Sequence, residues 1–453
     1  KLLSTMGGNR DGDGECVARF AASASRWPDL CGTVGCEGGY DMSRYETTPE
    51  ALEAYAAFHA SKAADNTAQT LIFAPNQYGL GNRLRAMKSA LLVAMLTGRV
   101  FRTWWHEPYP LDTLVEPARI DWRTPAAKEG QPDELGVICL PFATADGLPN
   151  CAWHMQQLRQ GDLRVSYAKV QRLEVFTFTD LNIYLADNPH YEALLRRLGQ
   201  SCPKRMGCLF DFLFSPGERL RQRLEAVLPP RPPPALPAAD TPADTLGEPA
   251  ATELPAFGEY VAVQVRNRLW RCAPPHGQHR WRGSTRQPLT GIESMQLRVT
   301  NLPSRVVGCL ARWVPQGDAK VFFTADDASL QPVARELWKG RLLEIDGGVY
   351  EHWSRGGKVS KEQLSDTDEE AVLKAFADWF ALRYASVLVW TYGSSFGKTA
   401  AEASDAPNLD VNHTRCHEDE ATGIPGGSAS PSSTNMQYDI TKVPGAKGAQ
   451  VSL

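Results

Sequence analysis

Residues 70–104 read TLIFAPNQYGLGNRLRAMKSALLVAMLTGRVFRTW. Thr70 to Ala74 is a short apolar strand, and Pro75 to Gly81 is a loop. From Asn82 to Leu96 the apolar positions Leu84, Met87, Leu91, Ala94 and Met95 recur at steps of three and four, the period of a helix with one buried face. Val100 to Trp104 is then a second strand. A strand that returns through a helix to another strand is the building unit of a parallel sheet.

The same order recurs in the second half. Tyr260 to Val265 and Lys320 to Thr324 are apolar, β-rich strands. Thr367 and Glu370 have the spacing of a capping box, predicting a helix that buries Val372, Ala375, Phe376, Trp379 and Phe380. Ser386 to Trp390 is a further strand, followed by a tight glycine loop and an Ala-rich helix. Between the halves, residues 229–255 carry nine prolines among Ala, Asp, Thr and Glu, a composition that packs no core and reads as a linker or surface loop. The expected organisation is an N-terminal extension (1–35), a first α/β unit (36–228), the proline-rich segment (229–255), a second α/β unit (256–416) and a polar tail (417–453). Two such units joined by a linker place a ligand cleft between them.

Composition narrows the functional classes. The chain has 453 residues, 43% apolar and 22% charged, with a net charge of -4. That balance offers no global positive field for nucleic acid or a membrane surface. No apolar run approaches the roughly 18 residues of a membrane span, so membrane attachment is expected only through an anchor outside this chain. The ten cysteines form no CxxC pair, and Cys31/Cys36, Cys139/Cys151 and Cys202/Cys208 are near neighbours. Such spacing suits disulfides in an oxidising compartment rather than a zinc site. Asn412-His413-Thr414 is a glycosylation sequon.

Four places carry chemistry, each at or just after the end of a strand. The Gly79-Leu80-Gly81-Asn82-Arg83 loop sets glycines, a helix start and two arginines (Arg83 and Arg85) together, which suits an anion. It lacks the third glycine of a dinucleotide fingerprint. Arg266 ends the second unit's first strand and opens a run of six arginines, Arg268 among them, with no carboxylate before Glu293. A guanidinium there can grip a diphosphate in two-pronged fashion. Asp326 and Asp327 follow the next strand, suited either to accept from a guanine or ribose or to cap a helix. Gly393-Ser394-Ser395-Phe396-Gly397-Lys398-Thr399 joins strand to helix with hydroxyls and amides for a phosphate. Its ending is that of a Walker loop, but Tyr392 stands where the first glycine is needed. No HExxH, GxSxG or acidic metal motif is present.

In this order the motifs resemble the fucosyltransferase superfamily, and most the plant xyloglucan (α-1,2) type, related to the protein O-fucosyltransferases and α-1,6-fucosyltransferases. The resemblance runs from Ser43-Arg44-Tyr45 through Gly79–Arg83, Leu209–Pro216 and Val261–Arg266 to Ser394–Gly397. It implies a GT-B-like fold of two Rossmann-like domains facing a central cleft, with the first unit on the acceptor side and the second holding the donor. It implies an inverting transferase that uses GDP-fucose, needs no metal, and acts on a glycan or glycoprotein in the Golgi or another secretory-pathway lumen. Arg266 is implied as the catalytic arginine. Gly81, Asn82, Arg83, Arg268, Asp326, Asp327, Ser394, Ser395 and Phe396 are implied at the donor. The α-1,6 branch places a carboxylate base shortly after its arginines, whereas Arg266 is followed by Asn267. His276, His279, a phosphate oxygen or a water are the alternatives for the proton. A catalytically silent binding member of the fold, or a transferase of another GDP-sugar, is the competing reading.

Overall fold

The computed structural model describes residues 40–65, 67–75, 79–124, 135–139, 151–177, 180–201, 207–230, 259–266, 303–315, 317–347, 366–404 and 406–411. The extension 1–35, residues 231–255 of the proline-rich segment, the tail 417–453, the sequon, Arg268, His276 and His279 lie outside the described residues.

The first half runs α1 (Thr48–Lys62), β1 (Thr70–Pro75), α2 (Leu80–Thr97), β2 (Val100–Thr103), β3 (Val115–Pro117), β4 (Leu135–Cys139), α3 (Cys151–Gln160), α4 (Leu163–Ser166), β5 (Arg172–Thr177), α5 (Asn182–Leu185), α6 (Glu192–Ser201), α7 (Cys208–Leu213), β6 (Phe214–Pro216) and α8 (Glu218–Val227). The second runs β7 (Tyr260–Val265), α9 (Pro303–Ala311), β8 (Lys320–Ala325), α10 (Gln331–Leu337), β9 (Leu342–Leu343), α11 (Asp366–Tyr384), β10 (Val387–Thr391), α12 (Ser395–Ala403) and β11 (Asn408–Val411).

Both halves build parallel sheets, as the alternation of strand and helix predicts. The first sheet has the order β2-β1-β5-β4 and the second β11-β10-β7-β8-β9. In each, the first strand of the half is central: β1 lies between β2 and β5, and β7 between β8 and β10. The order in which strands are added reverses there, so the carboxyl ends of β1 and β7 each open on a crevice where α/β sheets bind ligands. β3 and β6 form a small antiparallel pair.

Every residue of β7 is buried. Its two faces serve different cores: Tyr260 and Ala262 join the large cluster, while Val261, Val263 and Val265 pack with Val306, Val307, Phe323 and Trp338. Burial on both faces is why this strand reads as an unbroken apolar run instead of alternating. The large cluster is continuous across both halves, uniting Leu84, Met87 and Leu91 of α2 with Phe376, Trp379 and Phe380 of α11 and Ala400 of α12. Phe210 and Trp379 meet edge to face at 5.4 Å. The Tyr260 hydroxyl donates to the Ala381 carbonyl at 2.6 Å and the Trp379 indole N–H to Thr399 Oγ1 at 3.1 Å.

Local expectations hold with two corrections. α2 starts at Leu80, not Asn82, because Gly79 in extended conformation already acts as its N-cap; Leu80 and Gly81 belong to the helix. α11 begins at Asp366, ahead of Thr367, so Thr367 does not occupy the cap position. Glu370 is drawn to Arg219 and Arg223 of α8 instead. Among the described residues no helix is long and apolar enough to cross a membrane.

Candidate functional site

The carboxyl ends of β1, β7, β8 and β10 converge on one pocket that is open to solvent. The first half contributes Gly79, Leu80 and Gly81; the second contributes Gln264, Arg266, Thr324, Asp326, Asp378, Ser395 and Phe396.

Its first wall is made by two helix starts. α2 begins on Gly79, which offers no side-chain oxygen to its amides. α12 begins on Ser394, whose buried Oγ accepts from the Gly397 N–H at 3.3 Å, leaving the Ser395 and Phe396 amides beyond that cap. The first amides of a helix have no partner within it and carry its positive end. The two ends touch: a Cβ placed on Gly81 would lie 2.4 Å from the Phe396 nitrogen and 2.6 Å from its Cα. A glycine is required at Gly81 for this backbone-to-backbone approach. Gly397 is similarly close-packed, since a Cβ there would meet Gln264 Oε1 at 2.6 Å and Trp390 Cβ at 2.9 Å. Gln264 is buried, and among the described residues its Oε1 accepts no hydrogen bond.

The opposite wall carries the charges. The Arg266 amide donates to Thr391 Oγ1 at 3.0 Å, and that hydroxyl donates to the Gln264 carbonyl at 3.2 Å, so β10 fixes the backbone from which the guanidinium projects. Arg266 Nε stands 3.9 Å from Asp326 Oδ2, a loose pair between two largely buried side chains. The Asp326 amide donates to the Val265 carbonyl at 3.3 Å, which holds the two residues side by side. Deeper in, Asp378 of α11 accepts from the Thr324 hydroxyl at 2.6 Å and from Lys374 Nζ at 2.7 and 2.9 Å.

Of the residues singled out in the sequence, the pocket therefore brings together Gly81, Arg266, Asp326, Ser395 and Phe396. Four others are engaged differently. Asp327 caps the short 3-10 helix after β8, accepting from the Ser329 amide and hydroxyl at 2.9 and 2.6 Å. Of the two uses open to that carboxylate, capping is the one realised. Ser394 is turned inward as the α12 cap. Arg83 is buried, with its guanidinium 5.4 Å above the Trp105 ring and an N–H donated to the Glu107 carbonyl, so it braces the loop after β2. Asn82 accepts from Arg85 at 3.1 Å along the helix surface.

Asp378 also lines the pocket, and the sequence contains a signal for it. It stands three residues after Ala375, on the face expected to be buried, and a carboxylate inside an apolar helix face is seldom tolerated without a partner. Among the described residues no group of three or more His, Cys, Asp or Glu could hold a metal ion.

No known family model matches this sequence, and no curated protein matches it significantly. Solved structures do match. One is a mutant of Arabidopsis thaliana FUT1 in complex with GDP, at 15% identity and TM-score 0.46, covering 80% of this chain and 78% of that one. Another is fucosyltransferase NodZ from Bradyrhizobium, at 11% identity and TM-score 0.42, covering 77% and 96%. A third is POFUT1 in complex with GDP-fucose, at 12% identity and TM-score 0.37, covering 77% and 98%.

Proposed function

We propose that the pocket holds the diphosphate of a GDP-linked sugar and that the chain is a glycosyltransferase. The motif resemblance supports fucose as the sugar and a glycan or glycoprotein as the acceptor. The observation that supports this reading is the convergence of Arg266 with the starts of α2 and α12 on one pocket at the switch points of two parallel sheets.

In the chemistry we assign to it, an acceptor hydroxyl attacks the anomeric carbon as the bond from that carbon to the phosphate oxygen breaks, with inversion. Negative charge grows on the departing GDP. In this reading Arg266 and the amides of Leu80, Gly81, Ser395 and Phe396 stabilise it, a contribution that strengthens in a water-poor site. These groups supply the positive charge without a metal, so turnover is expected to survive a chelator. The acceptor proton leaves late, to a phosphate oxygen or a water, once the sugar is nearly a cation. Asp378 is the carboxylate we assign to guanine. A carboxylate has about four acceptor sites, Lys374 and Thr324 occupy three, and guanine presents an amino donor. The disulfides formed by Cys208 and Cys309 support a secretory-pathway location.

The test is calorimetry and donor hydrolysis over GDP-fucose, GDP-mannose and UDP-sugars, with and without chelator. Binding of GDP-sugars alone, unchanged by chelator, is expected. Preference for a UDP-sugar, or binding that vanishes in chelator, refutes the assignment.

A further inference from the structure

Two turns in from the pocket, Lys88 of α2 and Glu402 of α12 form an ion pair of 2.8 Å, with side chains 0% and 7% exposed. The sequence contains no sign of it, because 314 positions separate the partners. Lys88 stands seven residues after Gly81 and Glu402 seven after Ser395. The helices therefore run side by side in the same direction, joined at the pocket by the Gly81–Phe396 backbone contact and about 10 Å deeper by this pair.

Neither helix stability nor fold stability accounts for the pair. Glu402 lies in the last turn of α12, where the helix dipole disfavours a carboxylate. A buried ion pair is commonly no more stabilising than apolar residues of the same volume. Among the described residues Glu402 Oε1 is buried without a hydrogen-bond partner, which adds a desolvation penalty. What the pair does supply is direction and length. An ion pair at 2.8 Å tolerates little axial sliding, whereas apolar packing tolerates more. Two like-charged helix ends also repel one another when no anion lies between them.

We infer that Lys88 and Glu402 are positioning residues that set the axial register of α2 against α12, and through it the spacing of the amides that face the pocket. This rests on the pocket being a diphosphate site. Neither side chain lines the pocket, and the pair acts on a ligand through the two helices.

The experiment measures GDP affinity by calorimetry and the thermal midpoint for the wild-type chain, for Lys88→Met combined with Glu402→Leu, and for Glu402→Asp. The double variant replaces the pair by apolar groups of similar volume. The aspartate keeps both charges and shortens the link by one methylene. The expected result is GDP binding weakened about tenfold in the double variant with no loss of thermal midpoint, and weakened in the same direction by Glu402→Asp. Affinity within about twofold of wild type in folded variants overturns the inference, as does a lowered midpoint with unchanged affinity, which marks a structural staple. If the double variant does not fold, Glu402→Asp decides. If the wild-type chain itself binds no GDP, the diphosphate reading falls first and this inference with it.

Discussion

Gly81→Ala is the sharpest probe of the pocket. The added Cβ would stand 2.4 Å from the Phe396 nitrogen, 2.5 Å from the Ser395 carbonyl carbon and 2.6 Å from the Phe396 Cα. All three are backbone atoms, so no side chain can swing aside. Ordinary van der Waals contact begins near 3.4 Å, so α2 and α12 must separate by about 1 Å at their pocket ends. Alanine normally favours a helix over glycine by about 1 kcal/mol, so on helix grounds alone the variant gains. Overpacking of this kind costs about 1–3 kcal/mol and outweighs that gain. The larger effect falls on function, because a misplacement of about 1 Å among groups facing the reacting centre costs on the order of 10²-fold in rate. Calorimetry with GDP, donor turnover and a thermal melt measure the three quantities together. A variant with wild-type GDP affinity and turnover would show that the two helix ends do not jointly form the anion site.

Arg266→Lys is expected to keep the fold and lose roughly 10²–10³ in turnover, since a lysine keeps the charge and loses the two-pronged geometry; near-normal kcat refutes its role. Replacing GDP by inosine diphosphate, which lacks the 2-amino group, is expected to weaken binding about tenfold if Asp378 accepts from guanine, because hydrogen bonds to charged groups contribute about 1.5–3 kcal/mol; equal affinity moves the base elsewhere. Burial holds His59 neutral and lowers its pKa from 6.5 to about 4, while Nε2 lies 2.9 Å from the Phe101 carbonyl. The unfolded chain then binds the extra proton, so stability falls as pH drops from about 6.5 toward 4, by about 3 kcal/mol in all. Denaturant midpoints from about pH 7 to 4 should show this slope in the wild type and a shallower one in His59→Gln. Equal slopes would assign the acid sensitivity to other groups.

Much of the architecture was legible because it is local. The 3.6-residue period from Leu84 to Met95 and the apolar runs at Tyr260 and Lys320 are set by neighbours in the chain, and the strands and helices fall close to where those patterns put them. The glycines of the two loops were readable as close approaches, but not what they approach. Gly81 meets Phe396, a residue 315 positions away, and nothing in either segment alone says so. By sequence position Arg83, following the glycine loop, is expected as a ligand-facing cation; helix geometry turns it onto Trp105, where its stem and guanidinium are buried. Asp326 and Asp327 are indistinguishable by type, and only the backbone after β8 decides that one caps a helix and the other lies beside Arg266. Lys88 and Glu402 read as ordinary helix charges until the sheets bring their helices together.

The pairings among these charges also differ in tightness. Lys374 is held by Asp378 at 2.7 and 2.9 Å, and Lys88 by Glu402 at 2.8 Å, both well inside direct hydrogen-bond range. Breaking either leaves a buried carboxylate uncompensated, at several kcal/mol. Arg266 and Asp326 stand 3.9 Å apart, and both retain some exposure, so that pair is worth far less and is more easily exchanged. If the pocket holds the diphosphate proposed above, Asp326 beside the guanidinium limits the net positive charge and weakens the grip on the nucleotide. A site meant only to hold an anion gains from removing that carboxylate, whereas a site that must release a product gains from keeping it. Asp326→Asn is accordingly expected to tighten GDP by about tenfold, from a lost like-charge repulsion of the order of 1 kcal/mol. It is also expected to slow turnover where product release is limiting. Calorimetry and a product-burst assay measure the two effects, and weaker GDP binding in the asparagine variant would mean that Asp326 is needed to hold Arg266 in place rather than to loosen it.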